Sequence, residues 1–204
     1  MGCSGYRFTQ QENPLSQYGI QCLSVPMFYN YSNIPDASPD FTREVYRLLT
    51  GFSGLRLKSG YDKDCDAVFI GIIKSPEKLS ETLRPGSPRV AKDRARESVG
   101  GTRENFNIPG TNQFGLTLHV IVIKRPTEEE LALLRSSIGD KVSMKSKIIF
   151  NEMIPVQMQM TREILDGSGT QVVATQNLGV QRKTMREMSV QAANSIRDLI
   201  LYAF

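Results

Sequence analysis

The chain offers few residues whose chemistry and spacing would support catalysis. His119 is the single histidine and lies in the middle of a strand-like segment. No Ser-His-Asp or Cys-His arrangement, zinc-ligand pair or phosphate-binding glycine loop accompanies it. The alternating acids Asp62, Asp64 and Asp66 lack the glycine and glutamate that a calcium loop requires. We therefore expect a binding or assembly protein with no catalytic residue, no metal and no cofactor.

The three cysteines carry the remaining chemistry. Cys3 precedes a small globular domain, as in a bacterial lipoprotein whose signal peptide has been removed, so we interpret it as the lipidation site. Met1 and Gly2 then represent a start introduced by cloning or a misplaced start codon. Cys22 and Cys65 remain at the beginnings of two predicted strands, which brings them within disulfide distance if the strands are parallel neighbours. The disulfide is favoured in a periplasmic protein, and two free thiols are favoured in a cytoplasmic one.

Positive charge is concentrated in one loop. Between residues 84 and 103, six basic residues face two acidic ones, and this excess equals the net charge of +4 of the whole chain. The six are Arg84, Arg89, Lys92, Arg94, Arg96 and Arg103. Such a loop attracts phosphate-bearing partners, namely nucleic acid, anionic lipid or lipopolysaccharide. The alternative is a solvated loop without a partner.

Hydrophobic periodicity in the first half predicts a βαβ unit. A strand over residues 19–29 contains Pro26, which cannot donate a ladder hydrogen bond, so a bulge or an unpaired position is expected there. An amphipathic helix follows from Ser38, its predicted N-cap, to Leu49. Ala67–Ile73 then forms a buried strand, and the connection predicts that the two strands are parallel.

The second half alternates strands and helices after a long loop over residues 75–113. A capping-box pattern, Thr127 with Glu130, opens a short helix. The predicted elements are a strand at Phe114–Lys124, that helix at Thr127–Ser137, a strand region at Lys147–Leu165, a turn at 166–169 returning through Thr170–Ala174, and a helix at Gln181–Ala203. No apolar run is long enough for a membrane-spanning helix. The methionines of the last helix keep helical phase and are expected in the core.

Several motifs, in their order and spacing, resemble one bacterial family. Cys3–Phe8 is similar to a "CGY.F" start, and Val25–Asn30 followed by Pro35 is similar to "VP.F.N.T..P". Asp66–Ile73 is similar to "ADAVL.G.I", and the turn around Leu165–Gly169 to "L.D..TG.V". These motifs resemble the LptE family of lipopolysaccharide-assembly lipoproteins over roughly residues 1–75 and 147–204. The intervening residues depart from the family pattern.

The resemblance implies an α+β fold. Together with the elements predicted above, we expect a mixed sheet of four to five strands with two main helices packed on one face, plus an inserted loop and short helix. The expected organisation is a lipidated N-terminal tether over residues 1–18 and a single domain over 19–204. Residues 75–146 form the insertion in that domain.

The resemblance also implies a function. LptE-like proteins are anchored at the periplasmic face of the outer membrane, plug the LptD β-barrel and assist its assembly, and bind lipopolysaccharide during its transport to the cell surface. The nearest counterparts of the family's basic lipopolysaccharide-binding residues are Lys145, Lys147, Arg182 and Lys183. The expected partners are therefore an LptD-like barrel, lipopolysaccharide and the outer membrane.

Two other functions compete with this one. The first is a different periplasmic lipoprotein that acts as a protein-docking regulator. The second is a nucleic-acid-binding module that uses the basic residues between 84 and 103. That cluster lacks interleaved aromatic residues, so we expect no nucleic acid.

Overall fold

A computed structural model shows a mixed β-sheet with two long helices on one face and a short helix on the other. The structure describes residues 11–75, 83–85, 88–90, 107–109, 111–135, 147–161 and 170–203. The strands are β1 (Gln11–Glu12), β2 (Cys22–Val25), β3 (Tyr29–Tyr31), β4 (Phe52–Ser53), β5 (Arg56–Ser59), β6 (Ala67–Lys74), β7 (Leu83–Pro85), β8 (Pro88–Val90), β9 (Asn107–Pro109), β10 (Thr111–Lys124) and β11 (Ile148–Thr161). The helices are α1 (Ala37–Leu49), α2 (Glu128–Arg135) and α3 (Thr170–Ala203), and a 3-10 helix spans Pro14–Tyr18.

Among the described residues the main sheet has seven strands, and five of them follow one another in the order β11–β10–β6–β2–β5. β10 is antiparallel to both β11 and β6, whereas β2 is parallel to both β5 and β6. The short strands β3 and β7 extend the sheet beside β6 and β10. The predicted α+β fold, with its mixed sheet and its parallel first strands, is confirmed.

The strand predicted over residues 19–29 is interrupted where Pro26 lies. Ser24 of β2 faces Val68, and Tyr29 of β3 faces Ile72. Five steps along β2 and β3 therefore match four steps along β6, so one extra residue is accommodated. This is the irregularity that a proline in a strand predicts, because proline has no backbone N–H to give to the ladder.

Helix α1 begins earlier than predicted. Its N-cap is Asp36, in the left-handed conformation with φ of 58°, and not Ser38. Asp tolerates this conformation better than most residues do. Ser38 lies in the first turn, where its carbonyl accepts a hydrogen bond from Thr42 Oγ1 at 2.7 Å. The apolar face of the helix is buried as the periodicity predicts.

Helix α3 also begins earlier than predicted. The expectation that Thr170–Ala174 is a returning strand and that the helix starts at Gln181 is wrong, because the helix runs from Thr170. The turn predicted at 166–169 lies outside the described residues. Val172 and Val173 favour a strand locally. In a helix, a β-branched residue costs only about 0.5 kcal/mol relative to alanine. Most of the stability of a helix in a protein comes from the packing of the helix as a whole, so two such residues do not prevent it from forming. The predicted methionine stripe is buried in the core.

The two faces of the sheet have separate cores. α1 and α3 cover the face that includes Phe69, Leu118 and Val156, and the larger core lies there. On the other face, Leu131 of α2 forms a smaller core with five strand residues, Val68, Ile70, Ile72, Ile121 and Ile123. In the described part of the chain, no helix has the length and apolar character needed to cross a membrane.

The predicted capping box holds the start of α2. The backbone N–H of Thr127 donates to Glu130 Oε2 at 2.7 Å, and the N–H of Glu130 donates to Thr127 Oγ1 at 3.3 Å. Each side chain thus satisfies a backbone donor that the helix leaves free.

Part of the segment assigned to the tether belongs to the domain. Leu15 is buried in the main core, and Asn13 donates to the carbonyl of Ile20 at 2.7 Å. β1 pairs with β4, so Gln11 lies opposite Phe52. The domain therefore includes residues 11–18, and these contacts correct the boundary predicted at residue 18.

Candidate functional site

α1 and α3 run in the same direction and enclose a groove on the helical face of the molecule. Near the start of α1, residues 34–43 face residues 178–186 of α3. Further along, residues 44–48 of α1 face residues 190–194 of α3. The groove therefore follows both helices.

The wider end of the groove is a cavity of about 720 Å³. This volume is within the range of cavities that bind small molecules. Its charged lining residues are Asp36, Asp40 and Arg43 from the α1 side and Arg182, Lys183 and Arg186 from α3. Ile34, Leu178 and Met185 supply apolar surface beside them. The cavity thus combines cations, carboxylates and apolar surface.

Two of the cations in the cavity already have acidic partners. Arg43 Nη2 contacts Asp40 Oδ1 at 2.7 Å, and Arg43 Nε contacts Glu44 Oε1 at 3.2 Å. The hydrogen bond to Glu44 and the pairing with Asp40 raise the pKa of Arg43. Lys183 Nζ lies 3.8 Å from Glu187 Oε1, one turn along α3. Both cations are therefore partly neutralised.

Arg182 and Arg186 have no ion pair within the described residues. Both are exposed and stand one helical turn apart on the same face of α3. Leu178 precedes them and Val190 follows them at the same four-residue spacing, with 56% and 41% of their surface exposed. α3 thus presents two guanidinium groups within an exposed apolar stripe.

Two smaller cavities lie past the guanidinium groups, one on α3 alone and one between α1 and α3. One has about 380 Å³ and is lined by Arg186 and Val190 among others. The other has about 280 Å³ and is lined by Leu48, Val190 and Ala193 together with Glu44, Arg47 and Asn194. Val190 lines both, so it provides exposed apolar surface beside the charged end of the groove.

The predicted lipopolysaccharide-binding residues are not all brought together. Arg182 and Lys183 line the groove. Lys147 binds Glu130 of α2 instead, with Nζ 2.8 Å and 3.0 Å from the two carboxylate oxygens, on the opposite face of the sheet. Lys145 and the predicted lipidation site Cys3 lie outside the described residues.

The basic loop contributes little to the described structure. Arg84 lies in β7 and Arg89 in β8, which pairs with β9 in a separate two-stranded sheet. The other four cations of the loop, at positions 92, 94, 96 and 103, fall outside the described residues.

Cys22 and Cys65 form a disulfide bond in the structure, with their Cα atoms 4.8 Å apart. Both side chains are buried. The neighbouring Asp66 accepts the backbone N–H groups of Gln21 and Cys22, each at 3.0 Å. These two hydrogen bonds, with Arg125 nearby, lower the pKa of the Asp66 carboxyl. The start of β2 is thus joined to the start of β6 by a disulfide bond and two hydrogen bonds.

His119 lies on the sheet face opposite the groove. Its side chain is 5% exposed, and Nε2 lies 2.6 Å from Asn151 Oδ1. Among the described residues, Nδ1 has no hydrogen-bond partner. The same residues contain no group of three or more His, Cys, Asp or Glu side chains placed to hold a metal ion.

Sequence reasoning missed Asp36, Arg43 and Arg186 as members of the site. The four-residue spacing of Leu178, Arg182, Arg186 and Val190 is readable from the sequence once the helix is known to start at Thr170. Asp36 and Arg43 enter only because α1 and α3 pack side by side, which no local pattern reports.

Comparison with known proteins finds distant structural likeness only. No family model and no curated protein matches the sequence. A putative lipoprotein from Caulobacter crescentus is 6% identical, with a TM-score of 0.42, covering 86% of this chain and 89% of that one. A minor lipoprotein from Acinetobacter baumannii is 12% identical, with a TM-score of 0.36 and coverage of 87% and 90%. Rare lipoprotein B from Shewanella oneidensis is 11% identical, with a TM-score of 0.35 and coverage of 88% and 92%. These neighbours are bacterial lipoproteins, but values this low carry no assignment of family or function.

Proposed function

We propose that this protein is a lipid-anchored lipoprotein at the periplasmic face of the outer membrane. It binds lipopolysaccharide during transport to the cell surface, and it plugs and helps to assemble an LptD-like β-barrel. The observation that carries this proposal is the α1–α3 groove, where two guanidinium groups with no ion pair among the described residues lie beside exposed apolar surface.

The groove suits a phosphorylated lipid in chemical terms. Guanidinium groups bind phosphate oxygens in a bidentate manner, and such charge-assisted hydrogen bonds are stronger than neutral ones. Arg182 and Arg186 are available for this contact, since neither has an ion pair within the described residues. Leu178 and Val190 offer apolar surface to an acyl chain on either side of them.

Two further observations support the compartment. The order and spacing of the sequence motifs resemble the LptE family, and Cys3 stands where that family carries its lipid. The disulfide between Cys22 and Cys65 suits an oxidising compartment such as the periplasm, because cytosolic thiols are kept reduced. The proposed role is binding and assembly, without catalysis.

Purification from the native membrane tests this role. The gene, with its native upstream codons, is expressed in its bacterial host, and the product is purified from detergent extracts of the outer membrane. Mass spectrometry should find Cys3 diacylated and a large β-barrel at a near one-to-one ratio. A soluble, unlipidated product without a barrel would overturn the proposal. Another envelope protein in place of the barrel would favour the docking regulator.

A binding measurement tests the groove itself. Arg182→Gln should weaken lipopolysaccharide binding by about tenfold, as expected for loss of one hydrogen-bonded charge. Arg197→Gln is the matched control, because Arg197 lies on the same helix and contacts Asp198 at 3.3 Å. Equal affinities for the two variants would remove the groove from the proposed function.

A further inference from the structure

We propose that the α1–α3 groove takes a membrane amphiphile whose phosphate is accompanied by a primary ammonium group. This inference rests on the proposed function, because it names the head group that the lipid-binding groove accepts. The observation behind it is that the two walls of the groove carry opposite charge.

The α3 wall is positive. It carries three cations, Arg182, Lys183 and Arg186, and one acid, Glu187. The carboxylate of Glu187 lies 3.8 Å from the ammonium group of Lys183. The two arginines are therefore the groups left to meet a phosphate. Because they stand one turn apart, both guanidinium groups can bind oxygens of the same phosphate.

The α1 wall is negative. This wall carries three carboxylates, of Asp36, Asp40 and Glu44, and two guanidinium groups, of Arg43 and Arg47. Arg43 is held between Asp40 and Glu44, and Arg47 lies 4.0 Å from Glu44. The carboxylate of Asp36 makes no capping hydrogen bond with the helix and has no ion pair within the described residues. It is the acid left to meet an ammonium group.

The positive end of the α1 dipole does not reverse this sign. A helix N-terminus is equivalent to roughly half a positive charge, whereas Asp36 contributes a full negative charge at the same place. An ammonium group that approaches this wall is therefore attracted.

The dimensions of the groove suit one head group and one acyl chain. The axes of packed helices lie about 8–10 Å apart. Across this distance, side chains from both helices can contact the same small zwitterionic head group. The groove runs from Leu178 to Asn194, a rise of about 24 Å. The part beyond Arg186 rises about 12 Å of this, so beside Val190 and Leu48 it covers most of a single acyl chain, whose leaflet is about 15 Å thick.

Calorimetric titration with three ligands tests the inference. The ligands are lysophosphatidylethanolamine, its N-acetyl derivative with the same acyl chain, and free O-phosphoethanolamine, all below micellar concentrations. N-acetylation should weaken binding about fivefold, the ratio that one exposed ion pair contributes. The free head group should bind at least about a hundredfold more weakly, because it buries no acyl chain.

Three variants assign the two walls. Asp36→Asn retains a residue type that tolerates positive φ, and it should bring the amine and N-acetyl ligands to within twofold of each other. Arg182→Gln with Arg186→Gln should weaken both lipids at least about tenfold. Arg197→Gln should change neither. Circular dichroism and thermal unfolding of each variant show that the fold is intact.

Failure of this inference differs from failure of the proposed function. The inference is overturned if the N-acetyl lipid binds as tightly as the amine, if Asp36→Asn leaves their ratio unchanged, or if the free head group matches the lipid. Lipopolysaccharide binding that still depends on Arg182 would then leave the proposed function standing. Absence of binding to lipopolysaccharide and to every lysolipid would overturn both.

Discussion

The carboxylate of Asp66 accepts the backbone N–H of Cys22 at 3.0 Å, and the residue before Asp66 is the disulfide partner of Cys22. The same oxygen accepts the N–H of Gln21. Arg125 lies 3.8 Å from the other oxygen. One acidic side chain thus fixes the register in which the first parallel strands meet.

Replacing Asp66 with alanine should destabilise the protein by about 2 kcal/mol at neutral pH. Hydrogen bonds to a charged group contribute roughly 1.5–3 kcal/mol, and these are partly exposed. The pKa of Asp66 is lowered by the two backbone hydrogen bonds, so its contribution is present above the ordinary carboxyl range. It is lost as the pH falls through the lowered pKa.

Urea unfolding of the wild type and of Asp66→Ala at pH 7 and at pH 2.5 checks this prediction. The difference in the free energy of unfolding should shrink at the lower pH. Asp64→Ala is the control, because Asp64 is exposed and lies outside this contact. A difference that is constant with pH would show that the carboxylate charge is not responsible.

Removal of the disulfide should cost about 2–4 kcal/mol of stability. The bond closes a loop between cysteines 43 residues apart, and a loop of this length restricts the unfolded chain substantially. Cys22→Ala with Cys65→Ala should lower the urea midpoint, and reductant should lower the wild-type midpoint by a similar amount.

The double variant is its own control for reductant. Its unfolding curve should be the same with and without dithiothreitol, whereas the wild-type curve should shift. If the wild-type protein is fully unfolded in the presence of reductant and its unfolding curve is still unchanged, the result would contradict a disulfide between these residues.

Gly71 is predicted to be intolerant of a side chain. A Cβ atom there would overlap the ring of Phe28, which is buried and stacks on Phe69 with ring centroids 5.9 Å apart. Overpacking of this kind costs about 1–3 kcal/mol. Gly71→Ala should therefore lower the thermal midpoint by several degrees.

Gly179 provides the contrasting substitution. It lies within α3, and a Cβ atom there meets nothing within 4 Å. Gly179→Ala should stabilise the protein by about 0.5–1 kcal/mol, because glycine is a poorer helix former than alanine. A Gly71→Ala protein that is as stable as the wild type would indicate that the overlap at Phe28 is relieved without cost.

Lys147 is predicted to contribute to local structure but not to lipid binding. Its ammonium group is held by Glu130, whose pKa is lowered chiefly by this contact. Lys147→Gln should leave lipopolysaccharide affinity within twofold and cost less than about 1 kcal/mol of stability, because the pair is partly exposed. If Lys147→Gln weakened lipopolysaccharide binding as much as Arg182→Gln does, the lipid would lie on the face of the sheet that α2 covers.

Elements with a strong local pattern were predictable from the sequence. Pro26 predicts the interruption between β2 and β3, because a proline has no N–H to donate to the hydrogen-bond ladder of any strand. Thr127 and Glu130 announce the start of α2, because their hydrogen bonds are local. In both cases the determining atoms lie within a few residues of one another.

Features that depend on packing were not predictable. Thr170–Ala174 contains adjacent valines, so local preference indicates a strand, and the helical outcome depends on the rest of α3. The groove is a sharper example. Asp36 and Arg186 are separated by 150 positions in the sequence, and only the parallel packing of α1 and α3 makes them line one cavity.

The parallel arrangement of α1 and α3 gives the groove a polarity relative to the N-terminus. β1 begins at Gln11, beside Phe52 and just beyond the end of α1, whereas the charged cavity lies about 20 Å away at the start of α1. In the proposed lipid-anchored protein, the end of the groove nearer to β1 is the one formed by residues 44–48 and 190–194, and the proposed function requires this end to face the bilayer. A lipid drawn into it head first would keep the orientation that it has in its leaflet, so that extraction needs translation along the lipid axis and no inversion.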